Sequence, residues 1–326
     1  MRFWRLLKRP DLIGFYAKER TNQVATLLRR RRPVSLALYA LAGVFGPRVY
    51  DRACSWLAAR SGESLVERPV GDHRMILDLD DPGISRLLLL YGVHEERPTT
   101  AFTRELERVR QTVSDPLVVD VGGNIGYYAL VEAAAIGEKG TVFATEPVPA
   151  TRRLLERNIA LNGYTDRVTI DGYAVGRESG SRAFHVGAAS NRNRFIRDDA
   201  SDRETEDAVD VEVMRLDDYV AAKGVTPDSV NAIRMDVEGF ELDVFRGMED
   251  VLAASGPLVV YLEVHPGILT TDELRELVAL LRERDFEIAA IESDIVSDRP
   301  FRTAPKAENF DGLLEIDRPY ALIVRK

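Results

Sequence analysis

A single cysteine, Cys54, stands in 326 residues, so no internal disulfide can form, and no cysteine–histidine set has the spacing of a zinc site. That favours a reducing compartment, and we expect a cytoplasmic protein with no bound metal. Long apolar runs are missing as well. The longest, Val34 to Phe45, falls short of the ~20 residues of a membrane span. It follows Arg29–Arg32, too far into the chain for an ordinary signal peptide. Lysine is scarce, with six against 38 arginines, so the positive charge is almost all guanidinium.

That charge is unevenly placed. Residues 1–60 carry a net +10, whereas the whole chain is −9, which leaves −19 on residues 61–326. Residues 1–62 read as a basic helical N-terminal extension, with Trp4, Leu6, Leu7, Leu12, Ile13, Phe15 and Tyr16 among the cations. Such a segment suits an anionic membrane surface, here the inner face. The alternative is a helical cap whose apolar face packs on the main body and whose arginines are solvated. Residues 63–115 predict a hairpin (64–70 and 74–79, turning at Gly71-Asp72), a leucine-rich helix around 87–90 and an amphipathic helix over 101–113.

From residue 116 to 326, strand and helix signals alternate, the pattern of a parallel doubly wound sheet. Strands are predicted at 117–121, 141–145, 167–171, 231–236, 258–264, 286–292 and 320–325, and helices at 127–135, 149–162, 240–254 and 271–284. No helix-length periodic segment separates the last two strands, so they are expected to pair antiparallel. The fold expected is α/β, a seven-stranded, doubly wound Rossmann-like sheet with an antiparallel final strand. Residues 187–208 are polar and aperiodic, a mobile loop over the site or a disordered insert.

The most informative segment is VVDVGGNIG, 118–126, with an acid, Glu146, twenty residues after Gly126. A strand ends in Asp120 and turns through Gly122, Gly123, Asn124 and Gly126 into a helix. Such a turn lets a ligand approach the backbone and points helix N-terminal amides at it. An acid at the tip of the next strand is where ribose hydroxyls would be gripped. The pattern is not G-x-G-x-x-G. Asp120 would repel a pyrophosphate and attract an ammonium, and the amide of Asn124 also suits an amino-acid tail. That points to S-adenosyl-L-methionine (SAM), not to a dinucleotide.

Two further strand tips carry reactive groups. Asp236 and Glu238 follow the strand at 231–236, beyond the carboxyl end where ligands bind in open α/β sheets. They would face the reactive methyl, or else cap the following helix. At the next tip, Glu263 and His265 share a face, the layout of an oriented base whose imidazole titrates near the operating pH. A lone histidine is more often structural.

These segments resemble the FkbM-type family of SAM-dependent methyltransferases. The resemblance is carried by DVGGNIGYYAL (120–130), EPVP (146–149), RNIALNG (157–163), LDDYV (216–220) and above all MDVEGFELDVFRGM (235–248), over roughly residues 63–326. Gly123 stands where that family usually has alanine. The resemblance implies O-methylation of a hydroxyl on a sugar, glycan or other small-molecule or lipid-linked acceptor. It implies that Asp120, Gly122, Asn124 and Gly126 hold the methionine end and Glu146 the ribose. The turn at 171–174, with Tyr173, would lie by the adenine, and Asp236 and Glu238 would form the acidic strand tip. An RNA methyltransferase is the first alternative. It is opposed by two anions and no Pro-Pro-aromatic sequence at that tip. The second is a non-catalytic SAM-fold protein at the membrane surface, opposed by the intact loop.

Overall fold

A computed structural model describes residues 64–187, 190, 194, 195, 208–293, 307 and 309–326. The basic extension at 1–62 lies outside the described residues, as does most of 187–208. Two short strands, β1 (Leu65–Val70) and β2 (His73–Asp78), pair antiparallel as a hairpin. Helices α1 (Ile84–Tyr91) and α2 (Glu96–Thr112) follow.

The central sheet has seven strands: β3 (Leu117–Val121), β4 (Thr141–Thr145), β5 (Val168–Asp171), β10 (Val230–Met235), β11 (Val259–Val264), β12 (Glu287–Glu292) and β13 (Tyr320–Arg325). Their order is β12-β13-β11-β10-β3-β4-β5. All neighbours are parallel except β13, which runs antiparallel to β11 and to β12. The expected sheet is present, with its strands within one residue of the predicted bounds.

Side-chain alternation sorts the strand residues into two cores. Leu117, Val119 and Val121, with Ile233, Met235, Val260 and Leu262, pack under α5 (Leu216–Ala222), α6 (Glu241–Arg246), α7 (Glu249–Ala253) and α8 (Thr271–Glu283). Val118, Ala232, Val259 and Ile323 face α2, α3 (Tyr127–Ile136), α4 (Pro149–Leu161) and the hairpin. The result is helices on both faces of one sheet. The predicted helix over 240–254 is two helices, α6 and α7, broken at Gly247-Met248.

A second, four-stranded sheet was not foreseen. It comprises β6 (Ala174–Val175), β7 (Gly180–His185), β8 (Arg194–Phe195) and β9 (Ala208–Met214), in the order β6-β9-β7-β8. Phe184 and Phe195 on it pack with Phe240 and Val148. It thereby joins the segments after β4 and β10, the two that carry the predicted acids. Among the described residues, no helix is long and apolar enough to cross a membrane.

Candidate active site

A cleft partly open to solvent lies at the carboxyl ends of β3, β4 and β10. Six of the nine predicted site residues line it: Gly122, Asn124, Glu146, Tyr173, Asp236 and Glu238. Asp120, Gly126 and His265 do not.

The glycine loop is shaped by close approach. Gly122 has φ +79°, and a Cβ there would meet the Asp236 carbonyl oxygen at 2.7 Å. Gly126, at φ +92°, opens α3 against Leu155, whose Cδ1 would lie 2.6 Å from an added Cβ. It is a packing residue. The Gly122 and Gly123 amides both donate to the Thr145 carbonyl, so the loop is tied to the tip of β4. Asn124 holds a left-handed φ of +49°, and its Nδ2 donates to the Ser190 carbonyl at 3.1 Å. Ser190 is fixed in turn by Asp81, which accepts from its N–H and its hydroxyl. Ser190 and Phe195, both within the polar stretch 187–208, line the cavity.

Glu146 is 5% exposed, and its two oxygens accept from the Asn124 and Val148 backbone N–H groups at 3.1 and 2.9 Å. Burial pushes its carboxyl up to about 7, against those two amides, which lower it. Thr145 is wholly buried at the cavity wall, and its Oγ1 has no hydrogen-bond partner among the described residues; neither has the Asn124 Oδ1. Buried polar atoms left unpaired are costly. Here they present one hydroxyl and one amide oxygen to a ligand that both donates and accepts. That fits an amino-acid-bearing nucleoside. Thr145 escaped the sequence reading, although it sits next to Glu146 at the strand tip. Asp171, at the start of the predicted adenine turn, is engaged by the Tyr219 hydroxyl (2.8 Å) and by Lys223 (2.6 Å), which leaves Tyr173 as that turn's contribution.

Asp120 corrects the electrostatic argument made for it. It is wholly buried, and its Oδ1 takes a hydrogen bond from Arg234 Nη1 at 3.3 Å. Burial raises its pKa, while the charge of Arg234 and its hydrogen bond lower it. The carboxylate faces a guanidinium of the same protein, not an incoming ammonium.

Asp236 has one oxygen committed and one uncommitted. Its Oδ2 accepts from Arg234 Nη2 at 3.0 Å, and its Oδ1 has no partner among the described residues. Neither acid is the N-cap residue of the following helix. Helix α6 begins at Glu241, after Phe240, with no side-chain cap. The intervening turn is strained, with φ +51° at Glu238 and +95° at Gly239. It is braced by the wholly buried Glu241, whose Oε1 accepts from the Gly239 N–H at 3.0 Å.

His265 reaches the site only through other side chains: its Nε2 is 3.4 Å from Glu263 and 3.8 Å from Glu238. Burial lowers the pKa of the imidazolium. The hydrogen bond and charge of Glu263, then Glu238 and Asp236, outweigh that and bring it up to about 10. The expectation of a base titrating near the operating pH is therefore corrected: this histidine is a cation at neutral pH. Among the described residues, no group of three or more His, Cys, Asp or Glu side chains could hold a metal ion.

The sequence profile of the "Methyltransferase FkbM domain" matches residues 120–288, just over half of the chain. Among curated proteins the chain is similar to "Methyltransferase 1" of Beauveria bassiana, 32% identical over 153 residues, 42% of this chain and 59% of that protein. It is 28% identical to the hexuronic acid methyltransferase AglP of Haloferax volcanii over 57% of this chain and 75% of that one. It is also 28% identical to the 2-O-methyltransferase NoeI of Sinorhizobium fredii, over 46% and 66%.

Proposed function

Because the chain belongs to the FkbM methyltransferase family, we propose that it methylates a hydroxyl oxygen on a sugar, glycan or other small-molecule or lipid-linked acceptor. It is a methyltransferase, and its cofactor is SAM. The observation that carries the finer reading is Asp236 at the cavity wall, with one oxygen held by Arg234 and the other unpartnered, against the loop at Gly122. Two relatives bear names of hexuronic acid and 2-O-methylation, which supports a sugar acceptor.

SAM supplies a methyl already carried on a good leaving group, so the protein's part is alignment and removal of the acceptor proton. Glu146 would accept from the ribose hydroxyls through the lone pairs its amide partners leave over. Asn124 and Thr145 would hold the amino-acid end, and Tyr173 would lie along the base. Asp236 would take the hydroxyl proton through its unpartnered oxygen. Glu238, faced by the His265 cation, would bind an acceptor hydroxyl beside it. The same acids oppose a polyanionic acceptor such as RNA. The test is transfer of labelled methyl from SAM into cell material separated into glycan, lipid and nucleic-acid fractions. Label in the glycan or lipid fraction supports the reading, and label confined to nucleic acid overturns it.

The basic segment 1–60 completes the proposal: at net +10 it would touch an anionic membrane from the cytoplasmic side. Its deletion should abolish binding to anionic liposomes, and an intact protein that never binds them refutes the contact.

A further inference from the structure

Arg234 touches both halves of the site, although it precedes the acidic motif and no role was read for it in the sequence. In the sheet register it lies between Asp120 on β3 and Tyr261 on β11. Its side chain is 4% exposed. Nη1 donates to Asp120 Oδ1 at 3.3 Å and to the Gly122 carbonyl at 3.1 Å, and Nη2 donates to Asp236 Oδ2 at 3.0 Å. Its guanidinium carbon lies 4.2 Å from the Tyr128 ring centroid and 5.9 Å from that of Tyr261, within cation–π range.

A buried arginine between two acids could be there only to neutralise them. Charge compensation accounts for the contacts to Asp120 and Asp236. It does not account for the third bond, to the neutral carbonyl of Gly122. That bond grips the glycine loop itself, at the residue where an added Cβ would meet the Asp236 carbonyl oxygen. The two nitrogens point to different partners, and the aromatic rings fix the plane of the fork. An ammonium, a single point of charge, could not hold all three acceptors in that geometry.

We infer that Arg234 is a positioning residue: its one guanidinium locks the glycine loop and the Asp236 carboxylate into a single relative placement. The inference rests on the proposed roles of loop and acid as donor side and acceptor side. Through Arg234, Asp120 acts on the cofactor loop without touching a ligand. The loop and the acid lie at the tips of adjacent paired strands, already joined at the backbone by the Asp236 N–H to the Val121 carbonyl at 3.4 Å, and Arg234 adds the side-chain link that sets the carboxylate against the loop. A shift of the order of 1 Å between reacting groups is enough to cost about 100-fold in rate.

The test uses the full-length chain with Arg234→Lys and Arg234→Met. Two measurements are made: hydrogen exchange of peptides spanning 122–126 and 236–240, and calorimetric titration with S-adenosylhomocysteine. Lysine retains the charge and should keep the thermal midpoint nearer to wild type than methionine does. If Arg234 positions the two segments, Arg234→Lys still exchanges both faster, by roughly tenfold or more, and binds S-adenosylhomocysteine at least roughly tenfold more weakly. Wild-type exchange in either segment, or affinity within about twofold of wild type, overturns the inference. Arg234→Met strands the buried Asp120 carboxylate and the half-buried one of Asp236 and can fail to fold; the lysine variant then decides. A wild-type protein that does not bind S-adenosylhomocysteine refutes the functional reading instead, and the exchange data still judge Arg234.

Discussion

The carbonyl oxygen of Asp236 occupies the space that a side chain on Gly122 would need, 2.7 Å from where its Cβ would be. The donor loop and the acidic strand tip are thus in contact through backbone alone. Even a methyl group cannot be inserted between them without moving one.

Gly122→Ala is therefore expected to be severe out of proportion to its size. The backbone is left-handed at φ +79°, which alone costs alanine about 1–3 kcal/mol, and the clash adds to that. Chemical denaturation should show the loss of stability, and calorimetry a loss of S-adenosylhomocysteine binding. Retained affinity would mean that the loop can move away from Asp236 freely.

Cofactor binding should depend on pH through Glu146. With its carboxyl up at about 7, it is largely protonated at pH 6 and ionised at pH 8. A carboxylate accepts from two ribose hydroxyls better than its protonated form does. Affinity for S-adenosylhomocysteine is expected to rise from pH 6 to pH 8 by severalfold. Glu146→Gln should bind more weakly, by about 10-fold, and show no such rise.

Asp236→Asn should lower turnover by about 10²–10⁴-fold, the usual worth of a general base, while S-adenosylhomocysteine still binds. His265→Gln should be the milder change, because the hydrogen bond and charge of Glu263 bring the imidazole up to about 10, where it holds its proton and does not act as a base at neutral pH. Its stabilising contribution is full below pH 6.5 and fades as the pH rises through about 10. The stability gap between wild type and His265→Gln should therefore close in alkali. Turnover of labelled SAM and denaturation midpoints across pH separate the two residues.

Glu132 on α3 is wholly buried, and neither of its oxygens has a partner among the described residues. Burial first, and then the charge of Asp120, raise its pKa well above the ordinary carboxyl value, although Arg234 pulls it down. The folded state therefore holds a proton that the unfolded chain releases once the pH exceeds about 4.5. Stability from this group is full below that pH and declines as the pH rises through the folded value. Glu132→Gln should remove the decline, making the variant more stable at pH 8 by about 1–3 kcal/mol and by less at pH 5. Urea midpoints at the two pH values check it, and parallel curves for both proteins would refute it.

Much of the main sheet was legible because its strands are short apolar runs bounded by turn residues, and β3, β4 and β13 fell on their predicted bounds. The second sheet was missed, although β9 alternates plainly at Val209, Val211 and Val213. Its partner β7 offers only Phe184 as a buried apolar residue, so no pairing was evident. Pocket residues were legible where they sit at strand tips. Asp120 misled because a sequence shows a carboxylate but not what already faces it. Arg234 was hidden in NAIRM as one charge in an apolar strand. The signal was its spacing of two from Asp236, which places both on one face. His265 was found together with Glu263, the acid that does most to raise its pKa; the smaller contributions of Glu238 and Asp236, nearly thirty residues earlier, are reported by no spacing rule.

In the central sheet, β13 lies between β11 and β12 yet follows both along the chain. During synthesis the two flanking strands emerge first and must wait for the one that joins them. Until residues 320–325 leave the ribosome, β11 has an unpaired edge rich in valine and leucine, open to any stray strand. That edge carries Glu263 and leads directly to His265. A translational pause late in the message would prolong that interval, and the burden on chaperones should be greatest there.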